Sequence, residues 1–289
     1  MERLGDILAR YTTPTVTSKA SSDTSSDASA NRCSLCQGAG WVNYDLPLDH
    51  PDRGKAFPCE CTRQKWEEQR RRRLLDQSGL GALHRLNFDT FSAREGEIPE
   101  DASKDLGAIL CDVQEYAEQR WPQGWLLLAG NYGCGKTHLA AAAVSARVSR
   151  GWPAQFVVVP DLLDHLRSAF GPNAEIDFDA YFERLKHAEF LVLDDLGAEY
   201  GTAWATEKLF QLVNHRYNAQ LPTVFTTNAQ TEDIEPRIRS RLLDKQLTKT
   251  CAITAPDYRL TQPGSYRGNA DPSEAAVTAA TTRPSRRRR

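Results

Sequence analysis

Between residues 130 and 137 the chain reads Gly-Asn-Tyr-Gly-Cys-Gly-Lys-Thr, the spacing G-x-x-x-x-G-K-[ST]. That order of residue types suits one task, cradling a polyphosphate. Its glycines let successive backbone N–H groups curl toward phosphate oxygens, and the positive end of a following helix adds to the attraction. The ammonium of Lys136 reaches the outer phosphates, and the Thr137 hydroxyl is a ligand for Mg²⁺. The expected contact set is Gly130, Asn131, Tyr132, Gly133, Cys134, Gly135, Lys136, Thr137 and His138. A glycine-rich turn without a ligand is the alternative for the bare pattern. Here the pattern follows the apolar run WLLLAG (125–130) and opens an alanine-rich helical stretch, the context that the mechanism requires.

Downstream, the apolar run FLVL (190–193) ends in two carboxylates, Asp194 and Asp195. Set next to the phosphate-binding strand, Asp194 would hold magnesium through its water shell, while Asp195 would face the terminal phosphate and polarise an attacking water. Read alone, DDLG is also an ordinary strand-end turn. A third run, PTVFTT (222–227), ends in Asn228, whose amide suits a hydrogen bond to the terminal phosphate or to water. Then come Arg237, Arg239 and Arg241. An arginine here would insert into a neighbouring subunit's site and stabilise the charge that develops in phosphoryl transfer. A solvated basic helix fits the spacing equally.

Cys33-Ser-Leu-Cys36 and Cys59-Glu-Cys61 supply a second constellation. Four thiolates in a short, loop-rich segment suit closed tetrahedral Zn²⁺, which would also supply folding energy that so few residues lack. Gly38 and Gly40 stand where a tight knuckle needs a permissive backbone. The alternative is four reduced, unliganded cysteines. His50, beside Pro51, is a possible substitute ligand but reads first as loop. An odd total of seven cysteines argues against a disulfide framework.

These residues need elements to position them. Four apolar runs (125–130, 155–160, 190–195 and 222–228) alternate with helical spacing over 137–150, 161–170 and 206–219, which indicates an α/β fold with a central parallel sheet flanked by helices. Residues 1–11 suit a short helix, and 12–30 form a Ser/Thr/Asp-rich linker. The cysteine module spans 31–65, and a charged helical connector spans 66–81. Within that connector Arg70 to Arg73 either contact phosphate or are simply solvated. Past residue 260 the chain turns Pro/Gly/Ser-rich and ends in a basic tip, expected to be disordered (261–289). A net charge of −2 over 289 residues excludes a uniformly basic nucleic-acid coat, so any such contact comes from local patches. Arg147, Arg150 and Lys186 are candidates for one, with solvated helix faces as the alternative. The absence of a stretch of ~20 apolar residues, and of a secretory h-region, leads us to expect a cytoplasmic protein without membrane contact.

Over residues 82–260 the segments GNYGCGKTHLA, LVLDDLGAE, a Trp-containing helix ending NHRYN, LPTVFTTN, IEPRIRSRL and PDYR (256–259) occur in an order that resembles the AAA+ ATPases of the DnaC-like helicase-loader and IstB-like transposition-helper group. The resemblance implies an AAA+ P-loop NTPase core without a C-terminal lid domain. It makes Asn228 the sensor-1 residue and Arg241 the arginine finger, with Arg237 second. It places Leu86, Phe88 and Phe91 of HRLNFDTF (84–91) around the adenine. Asp195 stands where AAA+ proteins usually carry glutamate, a departure that the loader group shares, so hydrolysis is expected to be slow. CSLCQGAGW…CEC looks like the N-terminal zinc module of some helicase loaders. The implied function is ATP-dependent loading of a replicative DNA helicase onto single-stranded DNA, with self-association through the ATP site. A transposition helper on duplex DNA and an ATP-switched adaptor with negligible turnover are the alternatives.

Overall fold

The computed structural model describes residues 33–168, 178–197, 203–229 and 231–261. The expected helix at 1–11, the linker at 12–30 and all but the first residue of the tail lie outside them. Among the described residues the first elements are a hairpin, β1 (Trp41–Asn43) against β2 (Ala56–Pro58), which leads into α1 (Glu60–Gln77). After two 3-10 turns come α2 (Glu100–Glu118), β3 (Trp125–Gly130), α3 (Lys136–Ser149), β4 (Gln155–Val158) and α4 (Val159–Ser168). They are followed by α5 (Phe178–Lys186), β5 (Leu191–Asp194), α6 (Ala203–Asn218), β6 (Thr223–Thr227), α7 (Pro236–Leu242), β7 (Thr248–Ile253) and the short α8 (Tyr258–Thr261).

The five strands β3 to β7 form one parallel sheet in the order β4-β5-β6-β3-β7. Side chains alternate across it, as a pleated strand requires. Leu126 and Leu128 join one core with Val192, Val224 and helices α2 and α3, while Trp125 and Leu127 join another with Leu193, Phe225 and helices α4 to α6. Ala140 to Ala143 are all fully buried, so α3 lies close to the sheet. One expectation is corrected here. β5, which carries Asp194, is not next to the phosphate-binding strand β3, because β6 occupies the slot between them. A crossover connection fixes the order of strands in sequence, not the slot that each takes.

A second correction concerns the basic candidates for nucleic acid. Arg147 is fully buried. Its guanidinium donates to the carbonyls of Ala117, Gln119 and Arg120 at 3.2, 2.8 and 3.2 Å, closing the end of α2, and lies over the Phe190 ring. Burial pulls its pKa down to about 10. A side chain so enclosed has no face for DNA. Arg150 is paired with Glu118 and Lys186 with Glu183. Arg216 plays a similar internal part, donating to the carbonyls of Leu185, Lys186, Ala188 and Pro222 and to the Thr223 hydroxyl.

α1 has no buried residue along its length, yet both its ends are fixed. At its base Leu74 and Leu75 pack against the core. There the Ser78 carbonyl accepts from the Phe156 N–H at 2.7 Å. Gly79 follows with φ 76°, where a Cβ would sit 2.4 Å from the Phe156 carbonyl oxygen, so this close approach requires glycine. Among the described residues no helix is long and apolar enough to cross a membrane.

Candidate functional site

The loop from β3 to α3 is built as its sequence requires. Gly133 (φ 66°) and Gly135 (φ 107°) take left-handed conformations, and Gly135 caps α3. A Cβ on Gly130 would lie 2.5 Å from the Ile253 carbonyl oxygen of β7. Lys136 is largely buried, and its Nζ donates to the carbonyls of Gly130 and Asn131 at 2.8 and 2.7 Å. The loop thus holds its own cation over its mouth. Tyr132, by contrast, is 70% exposed.

The Thr137 hydroxyl, at the start of α3, donates to both carboxylate oxygens of Asp194, at 3.1 and 3.2 Å, although β6 separates β5 from the strand β3 that leads into α3. Thr226 of that intervening strand donates to Asp194 Oδ1 at 2.7 Å and accepts from the Asp195 N–H at 2.9 Å. Asp194 is buried, and burial pushes its carboxyl pKa upward against the opposing pull of the Thr226 and Thr137 hydrogen bonds. A buried carboxylate beside a threonine at a helix N-terminus fits the hard oxygen ligation that Mg²⁺ requires. Asp195 is exposed and has φ 59°, a conformation that Asp tolerates better than most side chains. The Leu196 N–H donates to the Thr226 carbonyl and the Thr227 hydroxyl donates to the Leu196 carbonyl, locking the turn to β6. Asn228 Oδ1 stands 4.0 Å from where a Cβ on Gly197 would be, so Asp194, Asp195 and Asn228 come together at the same strand ends. Thr226 was not singled out from sequence. Its signal was a polar residue on a strand buried throughout.

A cavity of about 510 Å³ opens beside the loop, lined by Leu86, Phe91, Cys134, His138, Arg94 and Tyr258 among others. Leu86, Phe88 and Phe91 all pack against the core beside α3, and Leu86 and Phe91 also line the cavity. His138 Nε2 lies 3.1 Å from both the Asn87 carbonyl and Thr90 Oγ1, with Phe91 edge-on at 5.1 Å.

Arg241 donates to Asn214 Oδ1 at 3.0 and 2.6 Å and lies over Phe210. Arg237 pairs with Glu207 and Glu235 and lies over the same ring. Neither borders the small phosphate-side cavity of its own chain, which is lined by Gly133, Gly135, Lys136, Thr137, Tyr258 and Arg259.

The ligand atoms of Cys33, Cys36, Cys59 and Cys61 all lie within 4.8 Å of one another. Two sulfur pairs, Cys33–Cys59 and Cys36–Cys61, are at 3.6 and 3.4 Å. A tetrahedral site with Zn–S bonds of about 2.3 Å separates its sulfurs by about 3.8 Å, so the four thiols fit zinc. The close spacing of the second pair follows from structure: Cys59 ends the hairpin as the N-cap of α1, and Cys61 stands in the first helical turn. Gly38 (φ 95°) and Gly40 (φ 78°) form the knuckle. Backbone N–H groups of Gly40 and Gly38 draw the Cys36 thiol down to about 6, while burial pushes Cys59 up to about 12. His50 lies outside the cluster, its Nδ1 accepting from the Asp52 N–H at 3.1 Å.

Residues 113–253 match the family model described as IstB-like ATP binding protein. The replicative helicase loader DnaC of Escherichia coli K12 is 23% identical over 176 residues, covering 60% of this chain and 68% of that one. The replicative helicase loader DnaI of Bacillus subtilis is 29% identical over 215 residues, covering 71% and 67%. An insertion-sequence ATP-binding protein of Mycobacterium tuberculosis is 28% identical over 186 residues, covering 61% and 72%. The glycine loop on β3, the carboxylates ending β5 and the polar end of β6 all fall within the region that matches the IstB-like ATP binding protein model, and over that region the chain is similar to both the helicase loaders and the insertion-sequence ATP-binding proteins.

Proposed function

We propose that this protein is an ATP-dependent loader of the replicative DNA helicase onto single-stranded DNA. The observation that carries this reading is the thiol cluster of Cys33, Cys36, Cys59 and Cys61, joined by α1 to the helix that follows the phosphate loop. In support, the similarity to the DnaI loader extends over 71% of the chain. The cysteine module is the part that grips the helicase. Zinc held by its four cysteines would supply the folding energy of the module.

In the nucleotide site, Lys136 leaves the loop carbonyls to meet the outer phosphates of ATP. Thr137 and Asp194 would hold Mg²⁺, which supplies charge neutralisation between those phosphates. Asp195, exposed beside them, orients the attacking water, and the Asn228 amide binds the terminal phosphate. The Asp195 carboxylate is one methylene shorter than glutamate, so its hold on that water is looser and turnover slow. Arg241 acts on the site of a neighbouring copy, which makes turnover depend on assembly. ATP then serves as a switch whose two states differ in contacts at the terminal phosphate.

The family model and the insertion-sequence relative favour a second reading, a transposition helper that assembles on duplex DNA and recruits a transposase. A pull-down separates the two. Full-length protein and its Cys36→Ser/Cys59→Ser variant are offered the replicative helicase with and without ATP. Capture by the full-length protein alone supports the loader reading. No capture in either nucleotide state, with ATPase activity stimulated by duplex DNA, overturns it in favour of the second.

A further inference from the structure

Beyond β7 the chain turns back over the phosphate loop. Arg94 is 3% exposed, donates to the Pro256 carbonyl at 2.7 Å and lies over the Tyr258 ring at 5.3 Å. The Tyr258 N–H donates to the Gly133 carbonyl at 3.0 Å. Asp257 is pressed so closely on the loop that a Cβ on Gly133 would fall 1.7 Å from its Oδ1. That same oxygen accepts from the Arg259 N–H at 2.8 Å, which fixes the direction of the next residue. The result is a small cavity of about 120 Å³ whose lining brings Lys136 and Thr137 together with Tyr258 and Arg259. That is room for about four waters, which a phosphate group would displace.

We infer that Arg259 is a second phosphate-binding cation of the nucleotide site, lining the same small cavity as Lys136, and that Asp257 opposes it by placing a negative charge against the same loop. The ligand class is a nucleoside triphosphate, so the inference rests on the nucleotide reading above. Nothing in the G-x-x-x-x-G-K-[ST] pattern calls for either residue. They reach the site because Arg94 and the Gly133 carbonyl hold the segment there. An exposed guanidinium beside a cavity that already holds an ammonium attracts anions strongly, and a carboxylate in the same place weakens that attraction.

The opposite charges give a test that a merely structural role would fail. Fluorescent ATP is titrated into the full chain and into the Arg259→Gln and Asp257→Asn variants at low and moderate salt. Asparagine at 257 keeps the oxygen that accepts from the Arg259 N–H, so the segment keeps its turn. The expected result is binding weakened about tenfold by Arg259→Gln, the loss of one charge-assisted hydrogen bond, and tightened by Asp257→Asn. Arg259→Lys should fall between Arg259→Gln and the unmodified chain. Both differences should shrink as salt rises, because Arg259 is exposed. Thermal melting without nucleotide checks that each variant is folded. Binding by Arg259→Gln equal to that of the unmodified chain overturns the inference, as does a shift of both variants in the same direction. An unmodified chain that binds no triphosphate overturns the nucleotide reading itself, a distinct outcome.

Discussion

Replacing Thr226 by valine tests whether the β6 strand governs the charge on Asp194. The two side chains have nearly the same shape, and Thr226 is 1% exposed, so the change deletes a hydroxyl from a packed site and adds a methyl. The hydroxyl donates to Asp194 Oδ1 at 2.7 Å and accepts from the Asp195 N–H at 2.9 Å. A hydrogen bond to a charged group contributes about 1.5–3 kcal/mol, against which burial of a methyl returns about 0.8 kcal/mol. The net destabilisation is about 1–2 kcal/mol, which lowers Tm by roughly 2–8 °C in a domain of this size. The second readout is chemical. Burial raises the Asp194 pKa and the Thr226 hydrogen bond is the largest influence lowering it, so the valine variant raises it further. The carboxylate must be ionised to hold a metal ion, and the acid limb of ATP turnover therefore moves to higher pH. Scanning calorimetry gives the first number and an ATPase pH profile the second. A Tm unchanged from that of the parent protein, together with an unmoved acid limb, would refute the reasoning.

Asp194→Asn should have opposite effects on stability and activity. A buried acid whose folded pKa is raised costs stability above that pKa and none below the unfolded value, so the variant should melt higher at neutral pH while losing Mg²⁺-dependent turnover. A lower Tm at pH 7 would contradict this. Removing zinc, by chelation or by Cys59→Ser, should abolish metal content and the β1–β2 hairpin signals in NMR while leaving nucleotide affinity unchanged; a parallel loss of nucleotide binding would contradict the separation of the two sites. Arg147→Met strips the donors from three backbone carbonyls and should cost more than about 3 kcal/mol, read by urea unfolding. Retained stability with lost DNA binding would restore the surface role that its burial denies. Mixing Arg241→Ala chains, which keep an intact phosphate loop, with Lys136→Ala chains, which keep the arginine, should restore turnover that neither shows alone. Failure to complement would exclude Arg241 as a residue acting between copies.

The phosphate loop was legible because its chemistry leaves few choices. Glycines must stand at 133 and 135, where φ is positive, and the cation and hydroxyl must follow at the helix start. The four strand runs were legible for the same reason that the sheet is buried: strands covered on both faces are apolar throughout. What sequence order does not carry is the slot that each strand takes, and this hid both the separation of β5 from β3 and the part played by Thr226. Arg147 misled because a long cationic side chain reads as solvated, although its helix is apolar nearly all round, with Ala140 to Val144 fully buried. The strand β7, Thr-Lys-Thr-Cys-Ala-Ile, lies at the sheet edge and buries only Cys251 and Ile253, so it lacks the continuous apolar run that marked the others. The cysteine hairpin consists of two strands of three residues each, too short for any periodicity to register. Asp257 and Arg259 lie far from the loop in sequence, and they are brought to it by the Tyr258 N–H on the Gly133 carbonyl and by Arg94 on the Pro256 carbonyl.

The bare helix α1 works as a stalk, and a stalk has both a length and an azimuth. Its 18 residues hold the hairpin about 27 Å from its root. Removing one residue would shorten it by about 1.5 Å but swing the module through about 100° around the stalk axis. Removing seven would shorten it by about 10 Å yet change the heading by only ~20°. Reach and heading are thus separate adjustments written into one helix, and a partner that needs the module at a set heading would tolerate losses of seven residues far better than losses of one or two.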